Sequence, residues 1–218
     1  MASSLGEKFK RLCIRVGVEI MPFIPLPEEW YRRILVNDSE KRYASGRWAY
    51  MRDVAESHRY SIIVGCCQYF KPRDVKVLDV GCGEGILQLR LAYSKYVGID
   101  MNVEAISRAA SRQDAHTEFV QIPADIYQPH DLYDVIVFNE SLYYIKDPID
   151  IFSKYRAFLK EDGVMIVCMF QTNLARRIWK KLARQGMVEL TAIKISNELG
   201  FASQVRVYAN TLISHCGA

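Results

Sequence analysis

The most constraining feature of this sequence is an alternation, between Val75 and Phe170, of short β-branched runs with longer segments of helical apolar spacing. Strand-helix-strand units of this kind build a parallel sheet with helices on its faces. We expect an α/β fold. The predicted strands are 75–80, 96–100, 118–122, 134–139 and 163–170, followed by a terminal hairpin of 188–196 and 203–212.

Composition narrows the class of protein further. Of the 218 residues, 50% are hydrophobic and 25% are charged, which excludes collagenous, low-complexity and disordered chains. The net charge of +4 is too small for a protein that binds mainly by neutralising many phosphates. The six cysteines form no CxxC pair and have no metal-ligand spacing with the four histidines. We therefore expect reduced thiols, a cytoplasmic protein and no metal site.

The N-terminal third differs in kind. Apolar residues before the proline-rich turn at 22–27, and again between Trp48 and Phe70, recur at steps of three and four, which predicts helices. Charged residues and three prolines interrupt the first apolar stretch, so it predicts neither a membrane span nor a secretory signal. The expected organisation is a helical extension over 1–74 and a ligand-binding unit over 75–218.

The segment 77–85, VLDVGCGEG, points to a ligand site. A predicted strand runs directly into Gly81, Gly83 and Gly85, and then into the helical run ILQLRLA at 86–92. Glycines allow a tight turn and let a ligand approach main-chain atoms. The loop follows the first strand of the sheet, where open α/β sheets bind their ligands.

Two carboxylates and the glycine spacing indicate which ligand. A dinucleotide fingerprint places its third glycine three residues after its second, whereas Gly85 follows Gly83 after two. Asp79 would repel a pyrophosphate and would suit a cofactor with positive charge. Asp100 ends the second strand, where a carboxylate can accept both hydroxyls of a ribose. The pattern favours a nucleoside with a cationic tail.

These residues resemble class I S-adenosylmethionine-dependent methyltransferases. VLDVGCGEG, YVGID, the acid Asp125, YDVIVFNESLYYI and LKEDGVMIV are similar to five motifs of that family, in order, over about residues 75–170. The resemblance implies a Rossmann-like, doubly wound sheet of seven strands in the order 3-2-1-4-5-7-6, with the N-terminal helices as a lid. It also implies S-adenosyl-L-methionine as the cofactor.

The resemblance also implies roles for single residues. It places the glycine loop against the methionine part of the cofactor, Met101 against the adenine, and the Asp125 side chain and Ile126 backbone N–H on the adenine edge. Asp79 could instead pair within the turn, and Asp125 could form an Asx-turn. The cofactor-binding candidates are Asp79, Gly81, Cys82, Gly83, Gly85, Asp100, Met101, Ala124, Asp125, Ile126 and Asn139, with Trp48 or Tyr60 over the sulfonium.

The catalytic candidates are Glu140 and His58. Glu140 could act as a general base, hold the sulfonium electrostatically, or serve as a helix N-terminal acid, and the sequence leaves these three roles open. His58 is placed to act as a base, although a lone helix histidine is more often structural. Cys82 fits a small filler better than a nucleophile. The segment NESLYYI replaces the [DN]-PP-[YF] signature of amide and adenine-N6 methylation.

We therefore expect a methyltransferase acting on oxygen or nitrogen of a small polar acceptor, such as a sugar or another metabolite. One alternative is an RNA or protein methyltransferase that uses the basic run 175–184, although the composition disfavours a nucleic-acid partner. Otherwise this run is a solvated helix face. A second alternative is a protein that binds S-adenosylmethionine without activity.

Overall fold

The order of helices and strands follows the sequence pattern closely. A computed structural model describes residue 29 and residues 51–52, 54–196 and 202–211, and all structural statements refer to these. The elements are α1 (Val54–Phe70), β1 (Lys76–Val80), β2 (Lys95–Asp100), α2 (Val103–Ala110), β3 (Thr117–Gln121), β4 (Tyr133–Asn139), α3 (Pro148–Arg156), β5 (Leu159–Phe170), α4 (Asn173–Leu182), β6 (Val188–Ser196) and β7 (Ala202–Ala209).

Seven strands form one sheet in the order β3-β2-β1-β4-β5-β7-β6. β1 pairs in parallel with both β2 and β4, whereas β7 pairs antiparallel with both β5 and β6. The predicted doubly wound α/β fold and its strand order are confirmed. Because β1 and β4 are adjacent and parallel, their carboxyl ends lie side by side at one edge of the sheet.

Apolar side chains cover both faces of the sheet, which is why its central strands read as nearly continuous hydrophobic runs. Alternate residues of β1 illustrate this: Leu78 packs on the face covered by α3 and α4, and Val77 packs on the face covered by α1 and α2. The cores on the two faces hold the carboxyl edge of the sheet in place.

Helix α1 packs as part of the sheet core. Its residues Tyr60, Ile63 and Cys67 belong to the same buried cluster as Val77 of β1. Residues 54–70 therefore pack against the sheet, and the division of the chain at residue 74 stays a prediction. Trp48 and most of the other residues before 54 lie outside the described residues; the exceptions are residue 29 and residues 51–52.

The helical run predicted after the glycine loop was wrong. Between β1 and β2 the chain forms turns and a 3-10 helix of three residues, Gln88–Arg90. The apolar residues of this stretch pack into the core without forming an α-helix, since Ile86 is 8% and Leu87 is 1% exposed. Much of the short crossover is taken up by the glycine turns, which leaves little length for an α-helix.

Candidate active site

The glycine loop turns sharply at the carboxyl end of β1. Gly81, Gly83 and Gly85 have φ of +80°, +55° and +67°, a region that side chains rarely adopt. A Cβ on Gly81 would lie 2.3 Å from Cβ of Ser141, and one on Gly85 would lie 2.7 Å from the ring of Phe119. The three glycines are therefore required by conformation, and two of them also by space.

Asp100 lies against this loop. Its carboxylate accepts hydrogen bonds from the backbone N–H of Gly83 at 2.9 Å and of Asn102 at 2.8 Å, one to each oxygen. Burial raises the pKa of Asp100, and the backbone N–H groups oppose that rise. Each oxygen accepts only one of these bonds, so each can also accept from a hydroxyl group. The arrangement suits the predicted contact with a ribose.

Asp79 is buried beneath the loop, 2% exposed. Tyr96 donates its hydroxyl to Oδ2 at 2.5 Å, and within the described residues Oδ1 is buried without a hydrogen-bond partner. Burial raises the pKa of Asp79 to about 7. The structure thus pairs Asp79 with the next strand, not within the turn, and leaves one of its oxygens available.

The environment of Cys82 suits the predicted small filler better than a nucleophile. Burial raises the pKa of its thiol well above the usual value, and the charges of Asp79 and Asp100 raise it further. A thiol held in the protonated form is a poor nucleophile. Its sulfur packs near Gly98 of β2, where an added Cβ would lie 2.9 Å away.

The predicted adenine segment lies beside the end of β2. The N–H of Ile122 donates to the carbonyl of Asp100 at 2.9 Å, which joins the two segments. Met101 and Ile126 are 52% and 62% exposed. Both side chains therefore lie outside the protein core, where they are free to cover a flat ring.

The turn at 123–127 is fixed from α3. Tyr155 donates its hydroxyl to the carbonyl of Ala124 at 3.0 Å, and the Lys154 ammonium donates to the carbonyl of Asp125 at 2.9 Å. The side chain of Asp125 is exposed. The N–H of Ile126 already donates to a carbonyl of the turn at 3.3 Å, so the predicted bond from this N–H to adenine would have to replace a long bond.

The end of β4 faces the glycine loop. Ser141 donates its hydroxyl to the carbonyl of Val80 and packs against Gly81. The Oδ1 atom of Asn139 is buried without a hydrogen-bond partner among the described residues. An unpaired buried amide oxygen is costly and is typical of a place where a ligand completes the site.

Glu140, between them, has a φ of +56°, a left-handed conformation rare outside glycine. Its carboxylate accepts hydrogen bonds from four donors on three other segments. These are the hydroxyl of Tyr143, the N–H of Phe170 at 3.0 Å, the hydroxyl of Ser203 at 3.4 Å and the thiol of Cys168 at 3.5 Å. Sequence reasoning missed these partners, because Ser203 is 63 residues away and carries no motif.

Among the described residues the other candidates form no recorded hydrogen bond with this edge, although Tyr60 lies near enough to Asp79 to interact with its charge. The ring of Tyr60 is 3% exposed and has the guanidinium groups of Arg59 and Arg90 each 4.8 Å from its centroid, which leaves the predicted sulfonium contact without support. His58 is half-buried on α1. Within the described residues it has no recorded contact with Glu140 or with the glycine loop.

The basic face of α4 matches a solvated helix face. Its apolar residues Leu174, Ile178 and Trp179 are buried, and its cations are exposed. In the described ranges, no helix is long and apolar enough to cross a membrane, and no group of three or more His, Cys, Asp or Glu side chains could hold a metal ion.

The seven-stranded sheet has the Rossmann-like fold of the methyltransferases, and the candidate site lies at the carboxyl edge of β1, β2 and β4. A family model for the methyltransferase domain matches residues 41–206. The chain therefore belongs to the class I S-adenosylmethionine-dependent methyltransferases.

Curated relatives match part of the chain. The ubiquinone biosynthesis O-methyltransferase of Actinobacillus pleuropneumoniae serotype 7 (strain AP76) is 36% identical over 112 residues, covering 45% of this chain and 47% of that protein. The malonyl-[acyl-carrier protein] O-methyltransferase of Paenibacillus sp. (strain JDR-2) is 31% identical over 114 residues, covering 47% and 41%. The chain thus matches about half the length of these relatives or less.

Solved structures share the fold at low identity. The N-methyltransferase NodS from Bradyrhizobium japonicum WM9, in complex with S-adenosyl-L-homocysteine, aligns with a TM-score of 0.62 at 18% identity, covering 74% of this chain and 90% of that chain. The magnesium protoporphyrin IX methyltransferase of Synechocystis PCC 6803 with bound S-adenosylmethionine aligns at 0.67 and 13% identity, covering 85% and 99%. Both support the predicted fold.

Proposed function

We propose that this protein transfers the methyl group of S-adenosyl-L-methionine to an oxygen or nitrogen atom of a small polar acceptor, such as a sugar or another metabolite. One observation carries the proposal: the loop of three left-handed glycines is joined to the carboxylate of Asp100 by the N–H of Gly83 at 2.9 Å. That pairing brings the glycine turn together, at the sheet edge, with a carboxylate that is suited to a ribose.

The residues present fit such a cofactor. At Gly81 and Gly85 any Cβ would collide with neighbouring side chains, so both positions require glycine and keep the turn at the end of β1 tight. The buried oxygens without partners on Asp79 and Asn139 are acceptors that an ammonium or a positively charged sulfur would satisfy. When bound, S-adenosylmethionine supplies an activated methyl group.

Loop residues Gly81 and Gly83 would hold the methionine part of the cofactor, and Asp100 would hold its ribose. Met101 and Ile126 would cover the adenine, with Ala124 and Asp125 at its edge. These residues bind and orient the reactants and exclude water. Alignment of reacting groups alone can reach effective molarities of about 10⁵ to 10⁸ M, so a strong base is not required.

The acceptor is inferred from two sources. The two curated relatives are named O-methyltransferases, which favours oxygen over nitrogen. At the end of β4, the amide of Asn139 and the ring of Tyr143 offer polar contacts, which suits a polar acceptor. The exposed cations of α4 remain consistent with a solvated surface.

Calorimetry with S-adenosyl-L-homocysteine tests the proposal. We expect saturable binding to the wild-type protein, and a 10- to 100-fold loss of affinity in Asp100→Ala, since a hydrogen bond to a charged group contributes about 1.5 to 3 kcal/mol. Asp150→Ala, which removes an exposed carboxylate of α3, is the matched control and should bind normally.

Two results would contradict this assignment. The absence of binding to either the cofactor or its demethylated product would remove the function, and unchanged affinity in Asp100→Ala would remove the ribose contact. Binding with no turnover across a broad panel of hydroxyl and amine metabolites would instead favour a protein that binds S-adenosylmethionine without activity.

A further inference from the structure

The carboxylate of Glu140 joins three separate parts of the chain. The donors to it come from the 3-10 helix Leu142–Tyr144, from β5 and from β7. Ser203, the donor from β7, is 6% exposed. The terminal hairpin therefore reaches the carboxyl edge of β4 through one side chain, and that side chain contacts no other part of the candidate site in the recorded hydrogen bonds.

This arrangement leaves Glu140 poorly suited to act as a base. A carboxylate has about four positions at which it can accept hydrogen bonds, and Glu140 accepts from four donors. A general base must instead have a free position within reach of the acceptor's proton. In the recorded hydrogen bonds Glu140 has no such free position.

The position of Glu140 in the chain shows what these bonds can control. A left-handed non-glycine residue persists where its surroundings fix it, and here the four donors do so. On one side, Asn139 stands in register with Cys168 of β5 and has a buried, unpartnered Oδ1. On the other, Ser141 packs on Gly81. The direction of the chain at residue 140 thus sets where both neighbours lie.

We propose that Glu140 is a positioning residue, and that Ser203 and Tyr143 act through it to aim the Asn139 amide into the cofactor crevice. Asn139 is the group that contacts the bound molecules. This inference rests on the proposed function for the identity of the ligand, but the orientation of Asn139 can be measured without any ligand.

Nuclear magnetic resonance on protein labelled with ¹⁵N-asparagine tests the proposal. The side-chain amide signals of Asn139 are identified by their loss in Asn139→Asp. We expect Ser203→Ala, Tyr143→Phe and Glu140→Gln each to shift these signals, and to weaken S-adenosyl-L-homocysteine binding about 3- to 10-fold. Ser203→Thr keeps the hydroxyl and should restore the wild-type signals.

Ser153→Ala is the matched control. It removes an exposed hydroxyl of α3 that is bonded to Gln185 and should leave Asn139 unchanged. If the chemical shifts of the Asn139 side-chain amide were unchanged in both Ser203→Ala and Glu140→Gln, the proposal would be overturned. So would a Glu140→Gln variant that loses turnover while its Asn139 signals and its affinity stay at wild-type values, because that pattern identifies a base. If the wild-type protein binds no cofactor, the proposed function fails, whereas the shift without ligand still decides the role of Glu140.

Discussion

The two halves of the ligand-binding edge are built by different means. At β1 and β2 the site consists of backbone: three left-handed glycines, with a carboxylate that accepts from main-chain N–H groups. At β4 it consists of side chains, since Glu140 is held by Tyr143 and Ser203 as well as by main chain. The first half depends on residues close in sequence, and the second depends on strands brought together by folding.

This difference predicts how each half responds to substitution. A backbone-built half tolerates few side-chain additions but survives the loss of distant contacts. A half built from side chains tolerates additions at its rim but loses its geometry when one remote donor is removed. Gly81 and Ser141 are where the two halves meet.

The largest effect is expected at that meeting point. Gly81→Ala combines a left-handed φ, which costs about 1 to 2 kcal/mol, with a Cβ 2.3 Å from Ser141, where overpacking costs about 1 to 3 kcal/mol more. We expect a loss of roughly 2 to 5 kcal/mol in the free energy of unfolding and loss of cofactor binding, measured by denaturant unfolding and calorimetry.

Gly186→Ala separates the two contributions. Gly186 has a φ of +70°, but no atom of the described residues lies within 4 Å of an added Cβ, so the conformational cost of about 1 to 2 kcal/mol is the one expected. Equal destabilisation by the two substitutions would show that the loop moves away from Ser141 freely, and the comparison between the halves would fail.

A smaller effect is expected from Asp79→Asn. The folded-state pKa of about 7 exceeds the ordinary aspartate value of 3.8 because the side chain is buried, so between these values the folded protein holds a proton that the unfolded chain has lost. The contribution of Asp79 to stability is therefore present below about pH 4, declines as the pH rises through 7, and is constant above that. Its full size is at most about 4 kcal/mol.

Asparagine removes the charge but buries a new N–H at a cost of about 2 kcal/mol, so we expect a net gain of about 2 kcal/mol at pH 8 and a net loss of about 1 to 2 kcal/mol at pH 4. Thermal unfolding of both proteins across pH 4 to 8 measures this. Parallel stability profiles would show that Asp79 does not titrate in the folded state over this range.

The smallest effect is expected at the rim of the backbone-built half. Met101→Ala and Ile126→Ala remove apolar cover from the predicted adenine position, and each should weaken S-adenosyl-L-homocysteine binding about 3- to 10-fold, or about 1 kcal/mol. Stability should barely change, because both side chains are more than half exposed. Leu132→Ala, with the same 52% exposure as Met101 at the opposite end of β4, is the control, and an equal loss of affinity there would argue against a specific contact.

The sequence predicted the strands and the glycine loop, because each depends on local apolar patterns and on spacing within a few residues, whereas the strand order followed from the resemblance to the methyltransferase family. The helix after the loop was wrong, since a buried apolar run looks alike in a helix and in a packed turn. The membership of α1 in the sheet core also escaped prediction, because amphipathic spacing shows that a face is buried without showing what buries it.

At the site, Asp100 was predicted to contact a ribose from its position in the sequence, at the end of the strand that follows the glycine loop. Its hydrogen bond with the N–H of Gly83 suits that role. The roles themselves stay predictions. Glu140 was found as a candidate, but its four donors were not, because they come from residues up to 63 positions away. Tyr60 was predicted to lie over the sulfonium of the cofactor. In the structure two arginines lie beside its ring instead, and no sequence motif indicates these contacts.

The missing helix after the glycine loop has a consequence for selectivity. In proteins that grip phosphate at such a loop, the first turn of a long helix points unpaired N–H groups and partial positive charge at the anion. The three-residue 3-10 helix Gln88–Arg90 provides little of either. Under the proposed function, nucleoside triphosphates and dinucleotides could make the same adenosine contacts as the cofactor. Few helix N–H groups would be available to bind their phosphates, so the short 3-10 helix by itself would disfavour their binding.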